Sequence, residues 1–229
     1  MILHSKPTID KDDISAVVSV LESNHLEEGD NVKELENHFK SYLNINFASS
    51  VSTGFAAIHL ALKALDVKPG DEVIMPSYCC AAVLNPVLLL GAIPVIVDID
   101  KSSFNISVEE VFSTITPRTK AIIAPHIFGF PCKIDELIAT RVPIIEDCAQ
   151  SLGGFYKGRK MGTFGTLSAF SFYATKMICG GDGGLISTQN LDLYNRILDY
   201  RYYGHKKLHK HVAYNYHLTN LPAALINTQ

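Results

Sequence analysis

Three short stretches hold residue types that could act on one ligand. Ser52-Thr53-Gly54 stands directly before an apolar run, Gly54 to Leu65, that reads as a helix. Free backbone N–H groups at a helix start, with the positive end of the dipole behind them, favour a phosphate. The dipole contributes only about 0.3–1 kcal/mol, rising to about 2 kcal/mol when partly buried, so several donors must share the anion. Glu146-Asp147 closes the apolar run VPIIED, which puts at least one carboxylate in a crevice where it needs a cationic or hydrogen-bonding partner. Lys176 follows SAFSFYAT and precedes Gly180-Gly181-Asp182-Gly183-Gly184, so its amine stands beside small residues that leave room for a flat ligand. Singly, each is an ordinary turn or surface feature, and a glycine opening a helix often only permits a turn. In an open α/β sheet, however, ligands sit at the carboxyl ends of the strands, where all three features converge. A phosphate cradle, a carboxylate and a lysine able to form a Schiff base are together what pyridoxal phosphate requires. The carboxylate keeps the pyridine nitrogen protonated, which makes the ring an electron sink; the lysine carries the cofactor and then moves a proton.

The elements that must hold these residues follow from hydrophobic periodicity. Ile14, Val17, Val18 and Leu21 recur at helical spacing behind Asp10 and Asp12, and Val32, Leu35, Phe39 and Leu43 behind Asp30, which predicts two amphipathic N-terminal helices. The run Gly54 to Leu65 is apolar on nearly every side, so this helix must be covered all round. Strand-like and helix-like runs then alternate: EVIM at 72–75, Cys80 to Leu90, PVIVDI at 94–99, a helix opened by Ser107-x-x-Glu110, KAIIAP at 120–125, Ile134 to Ala139 and VPIIED at 142–147. The helix behind Ser107 has Val108, Val111, Phe112 and Ile115 as its expected apolar face. Continuous apolar strands separated by helices are the pattern of a parallel sheet covered on both faces. LSAFSFY at 167–173 and GLIST at 184–188 lie too close for a crossover helix, so at least one antiparallel strand is expected. A helix near Leu191 to Tyr200 follows, and the expected class is a three-layer α/β/α fold around a mostly parallel, mixed sheet.

Composition narrows the partners. The 229 residues are 47% hydrophobic and 19% charged, which excludes disorder, and a net charge of −3 without like-charge blocks offers no footprint for nucleic acid or an anionic membrane. The apolar stretch from Pro86 to Val97 is too short and too interrupted for a membrane span. The N-terminus, MILHSKPTID, has no basic region before a long apolar one, so a cytoplasmic protein is expected. Five cysteines, Cys79 and Cys80 adjacent and none in C-x-x-C spacing, are expected to be reduced. His205 and His209 have the i, i+4 spacing of a metal pair, but they and His211 lie among lysines with no carboxylate or cysteine interleaved, so a solvated basic loop is expected, with a contact to a diphosphate as the alternative use. His59, on the apolar helix, is expected to be a core histidine.

In AFSFYATK with GGDGG behind it, IIEDCAQSLGGFYKGRKMGTFG, ALDVKPGDEVIMPSY, and GAIPVIVDID followed by ITPRTKAII, the sequence resembles the DegT/DnrJ/EryC1/StrS aminotransferases over essentially its whole length. The resemblance implies the large domain of an aspartate aminotransferase-like, fold type I transferase that binds pyridoxal phosphate. Carried onto these positions, it implies that Lys176 forms the internal aldimine, Asp147 pairs with the pyridinium nitrogen and Gln150 lies near the phenolic oxygen. It further implies that Ser171 binds the phosphate with the backbone of Gly54 and Phe55. Asn215, in YNYHLTNLPAA, would reach the phosphate of a neighbouring subunit, which implies a homodimer with shared active sites. The reaction implied is transfer of an amino group, with glutamate the expected amino-acid donor, to a nucleotide-linked keto sugar.

Three departures stand against this pattern. Phe55 replaces the usual threonine and offers only its backbone N–H. Cys80 stands where many relatives stack an aromatic ring on the cofactor, with Tyr78 nearby; both cysteines of PSYCC are expected to be small buried residues at a helix start. The chain stops at Gln229 where the family continues into a small C-terminal domain, so residues 1–229 are expected to be the cofactor-binding domain alone, with its N-terminal helices over about 1–50. A truncated, non-catalytic cofactor- or partner-binding module and a sugar dehydratase are the alternatives, although Lys176 argues against the dehydratases that carry histidine there.

Overall fold

The computed structural model describes residues 5–203 and 212–229, so the His205–His211 cluster lies outside the described residues. In chain order the elements are α1 (Lys11–Ser23), α2 (Asp30–Leu43), β1 (Phe47–Val51), α3 (Gly54–Ala64), β2 (Glu72–Pro76), α4 (Ala81–Leu89), β3 (Ile93–Val97), α5 (Val108–Thr114) and β4 (Thr119–Pro125). After a 3-10 turn at Ile127–Gly129 come α6 (Ile134–Ile138), β5 (Ile144–Asp147), the small pair β6 (Phe155–Tyr156) and β7 (Arg159–Lys160), β8 (Leu167–Ser171), β9 (Gly184–Thr188), α7 (Leu191–Arg201) and α8 (Asn220–Asn227).

The main sheet has seven strands in the order β1-β9-β8-β5-β4-β2-β3. From β8 to β3 every neighbouring pair is parallel, and β9 alone runs against both β8 and β1. This is the mixed sheet expected from the short link between LSAFSFY and GLIST. Side chains of the central strands divide between two covered faces, as strand alternation requires. Val73, Met75, Ile123, Ile145, Leu167 and Ile186 join the core under α3 and α4. Ile74, Ile122, Ala124 and Ile144 join the core with Val111 of α5 and Leu137 of α6. Phe170, Phe172 and Leu185 pack on the same face against Leu35 and Phe39 of α2 and Ile226 of α8.

α3 is covered all round, as expected: Ala56, Ala57, Ile58, His59, Leu60, Ala61, Leu62 and Ala64 are all buried. Its alanines let the helix lie close to the sheet, and Thr53 caps it by accepting the Ala56 N–H at 2.9 Å. In α2 the predicted face of Val32, Leu35, Phe39 and Leu43 is buried.

α1 corrects its prediction. Asp10 closes a capping box with Asp13, but Val20 and Asp13 are the buried residues while Ile14, Val18 and Leu21 are exposed. The helix meets α8 through its other side, where Thr228 donates to the Asp13 carboxylate. Phe112 of α5 is likewise exposed, only Val111 of that helix being buried. β1 was not foreseen: FASSV carries alanine and serines where a buried strand usually carries branched residues, yet it pairs with β9 along its whole length.

Candidate active site

Lys176, Asp147, Gln150, Ser171, Gly54 and Phe55 line one cavity of about 430 Å³. It opens at the carboxyl ends of β4, β5 and β8, and Thr53, Cys79, Cys80, Thr175 and Asp182 complete its walls.

Asp147 ends β5 beside Pro125 of β4 and Ala169 of β8. Its Oδ1 accepts the Ala149 N–H at 3.0 Å. Burial pushes its carboxyl above the ordinary range, opposed by that amide and by the charge of Lys176. Alternation sends Glu146 to the other side of the sheet, away from the cavity. Its carboxylate accepts from the N–H groups of Gly162 at 2.9 Å, Phe164 at 2.6 Å and Gly165 at 2.6 Å, from Ser168 Oγ at 3.3 Å and from His126 Nε2 at 3.1 Å. Burial opposes that charge, but the His126 bond and the Gly165 and Gly162 amides outweigh it and hold the carboxyl below its usual value. His126 Nδ1 accepts the Cys132 N–H at 3.1 Å, which leaves Nε2 as the nitrogen that donates to Glu146. His126, Glu146 and Cys148 bring three ligand-type atoms within 4.8 Å of one another. Both ring nitrogens and both carboxylate oxygens are already engaged, so the cluster is a hydrogen-bonding hub.

The phosphate-type cradle is formed by Gly54 and Ser171. A Cβ on Gly54 would come within 2.7 Å of Ser171 Cβ, so only glycine lets α3 begin this close to the end of β8. Thr53 Oγ1 satisfies Ala56, while the N–H groups of Gly54 and Phe55 belong to the first turn and have no acceptor within the helix. Of the glycine run after Lys176, Gly183 and Gly184 serve this same contact. Gly183 adopts φ +137° and bridges Thr53, and a Cβ on Gly184 would meet the Thr53 carbonyl oxygen at 2.5 Å. Of that run, Asp182 lines the cavity.

Gln150 stands at the rim, its Oε1 accepting the Phe128 N–H at 2.9 Å. Asn215 is outside the cavity and exposed. Its neighbours Tyr214 and Tyr216 stack at 4.9 Å and both pack on His59, whose Nδ1 lies 3.1 Å from the Tyr216 hydroxyl. His59 is thus the expected core histidine, though its Nε2 has no hydrogen-bond partner among the described residues. All five cysteines are free. Cys79 is half-buried, and burial, with the nearby Asp147 charge, raises its thiol to about 11. Cys80 is exposed, contrary to expectation, because it is the residue that precedes α4 at the cavity wall. Thr175 and Cys79 were not singled out as site residues, whereas Thr53 was read together with Gly54 and Asp182 stood inside the glycine run.

The DegT/DnrJ/EryC1/StrS aminotransferase family model matches residues 7–229. The chain belongs to this family. A GDP-perosamine synthase from Escherichia coli O157:H7 is 38% identical over 205 residues, covering 86% of this chain and 56% of the relative. A second, from Vibrio cholerae, gives the same figures of 38% over 205 residues. Among solved structures, an aminotransferase from Psychrobacter cryohalolentis superposes with a TM-score of 0.94 at 30% identity, covering 100% of this chain and 63% of that one. A Streptococcus pneumoniae protein named as a sugar aminotransferase, in its PLP form, gives a TM-score of 0.94 at 28% identity over 99% of this chain and 65% of its own. The fold is therefore the mostly parallel, mixed-sheet domain of the type I transferases. As a DegT/DnrJ/EryC1/StrS chain, it spans little more than half the length of the curated relatives it matches. Among the described residues no helix is long and apolar enough to cross a membrane.

Proposed function

We propose that this chain carries the cofactor site of a pyridoxal-phosphate aminotransferase that moves an amino group, with glutamate as donor, to a nucleotide-linked keto sugar. The observation that carries the reading is the meeting of Lys176, Asp147 and the Gly54–Ser171 cradle in one cavity. When bound, the cofactor supplies an electron sink for the carbon from which a proton is removed. Ser171 Oγ and the N–H groups of Gly54 and Phe55 would hold its phosphate. Asp147, already ending β5 within the cavity, would bind the protonated ring nitrogen and keep the proton there. Gln150 would border the phenolic oxygen. Lys176 would hold the cofactor at rest and, once released, its amine would move a proton at the substrate carbon.

The nucleotide-linked sugar is supported by the relatives named GDP-perosamine synthases. Exposure of Asn215 beyond its own cavity supports a homodimer in which it serves the partner's site. Reconstitution with pyridoxal phosphate should produce a visible absorbance that Lys176→Ala abolishes, and glutamate should shift that absorbance in the wild type. A colourless wild type would sink the cofactor assignment, and a coloured protein indifferent to every amino donor would leave a cofactor-holding module in place of a transferase.

A further inference from the structure

Tyr78, Phe104 and Phe128 form a triangle of rings, with centroids 6.0, 6.1 and 6.3 Å apart. They come from three separate loops, those that follow β2, β3 and β4, and remain 47%, 47% and 62% exposed. Two of them are held in a backbone conformation that bulky residues rarely adopt: φ is +60° at Phe104 and +55° at Phe128. Such strain persists only where the surroundings over-determine it, and it clusters at ligand clamps. Here the buried Asn105 does the holding. Its Oδ1 accepts the Ile127 N–H at 2.9 Å and its Nδ2 donates to the Phe130 carbonyl at 3.1 Å, so the Phe104 and Phe128 loops are locked together. The Phe128 N–H is in turn fixed by Gln150 at the cavity rim.

The triangle adjoins residues that wall the cavity. Tyr78 directly precedes Cys79 and Cys80, and Phe128 directly follows Ile127, all three of those neighbours being cavity walls. At about 430 Å³ the cavity lies in the lower part of the size range of ligand pockets. That volume suits the cofactor and one reacting sugar ring, which leaves the nucleotide of the proposed substrate beyond the mouth. Exposed ring faces held rigidly by a buried amide pay little conformational entropy on stacking, and stacking accepts any base because every base has a π-face.

We infer that Tyr78, Phe104 and Phe128 form the stacking subsite for the base of the nucleotide-linked substrate. This rests on the transferase reading, and the experiment separates the two. GDP and UDP are titrated calorimetrically into the reconstituted full chain and into Phe104→Asn, Phe128→Gly and Tyr78→Leu. Asparagine and glycine accept a left-handed backbone, so these two changes remove a ring and relieve strain together. The expected result is binding of both nucleotides to the wild type, about tenfold weaker in each variant, with the visible absorbance of the cofactor unchanged. Unchanged affinity in the variants overturns the subsite. So does a change in sedimentation with affinity intact, which would show that a second copy covers the rings. A coloured wild type that binds neither nucleotide overturns the subsite and leaves the transferase reading standing. Ring-dependent binding by a colourless protein sustains the subsite and removes the transferase reading.

Discussion

His126 Nε2 donates to Glu146 Oε2 at 3.1 Å with both side chains fully buried. Glu146 therefore ties the 162–165 turn and the segment after β4 to the strand that ends in Asp147. Glu146→Gln would turn one acceptor into an NH₂ group facing N–H donors. It should cost roughly 3 kcal/mol, the scale for breaking a buried charged partner, and lower the midpoint of thermal unfolding by several degrees. A variant as stable as the wild type would show that the hub is dispensable.

The Gly54–Ser171 contact leads to a second expectation. Gly54→Ala forces a Cβ against Ser171 and pushes the start of α3 off β8. Affinity for pyridoxal phosphate, measured by spectral titration, should fall by at least about tenfold, since the loss falls on the N–H donors of the cradle. The companion Gly70→Ala is a control: nothing lies within 4 Å of a Cβ there, although its φ of +91° predicts a modest loss of stability.

Asp147→Asn separates stability from chemistry. Burial makes the Asp147 charge unfavourable, so the neutral isostere should unfold at the same temperature as the cofactor-free wild type or higher. The spectral change with glutamate should slow by about 100-fold or more, because no anion is left to hold the ring proton. Equal rates in the two proteins would remove Asp147 from the mechanism.

His59 makes stability depend on pH. Burial first, and the Lys63 charge second, lower its pKa from 6.5 to about 4. Between those values the unfolded chain binds a proton that the folded chain refuses, so stability is full above about pH 6.5 and falls as pH drops toward 4. From pH 7.5 to 5 the linkage amounts to roughly 2 kcal/mol. In urea unfolding, His59→Phe should flatten that slope by about this amount, even though it leaves the Tyr216 hydroxyl without its 3.1 Å partner. A slope identical to the wild type would mean that other groups carry the acid sensitivity.

Much of the scaffold was legible because its strands are buried on both faces. β2, β4 and β5 carry apolar cores in VIM, AIIA and II, and α3 has little polar surface to turn outward. What stayed hidden depends on contacts between distant residues. Strand alternation places Glu146 and Asp147 on opposite sides, but which one meets the cavity is decided by the turn at 162–165 closing over Glu146. Periodicity finds the apolar stripe of α1, but α8 packs on the side that carries Val20 and Asp13. The residues at 180–184 read as open space, but Gly183 and Gly184 let one backbone pass close beside another at Thr53–Gly54.

That passage has a further consequence. Lys176 lies on the link between β8 and β9, and the two ends of that link, Ser171 and Gly183–Gly184, both press on Thr53–Gly54. Lysine and phosphate cradle are thus parts of a single clasp. Peeling β9 away from β8 would unfasten both ends of a ligand at once, so amide exchange at Gly54, Phe172 and Leu185 should slow in concert when the cofactor is added.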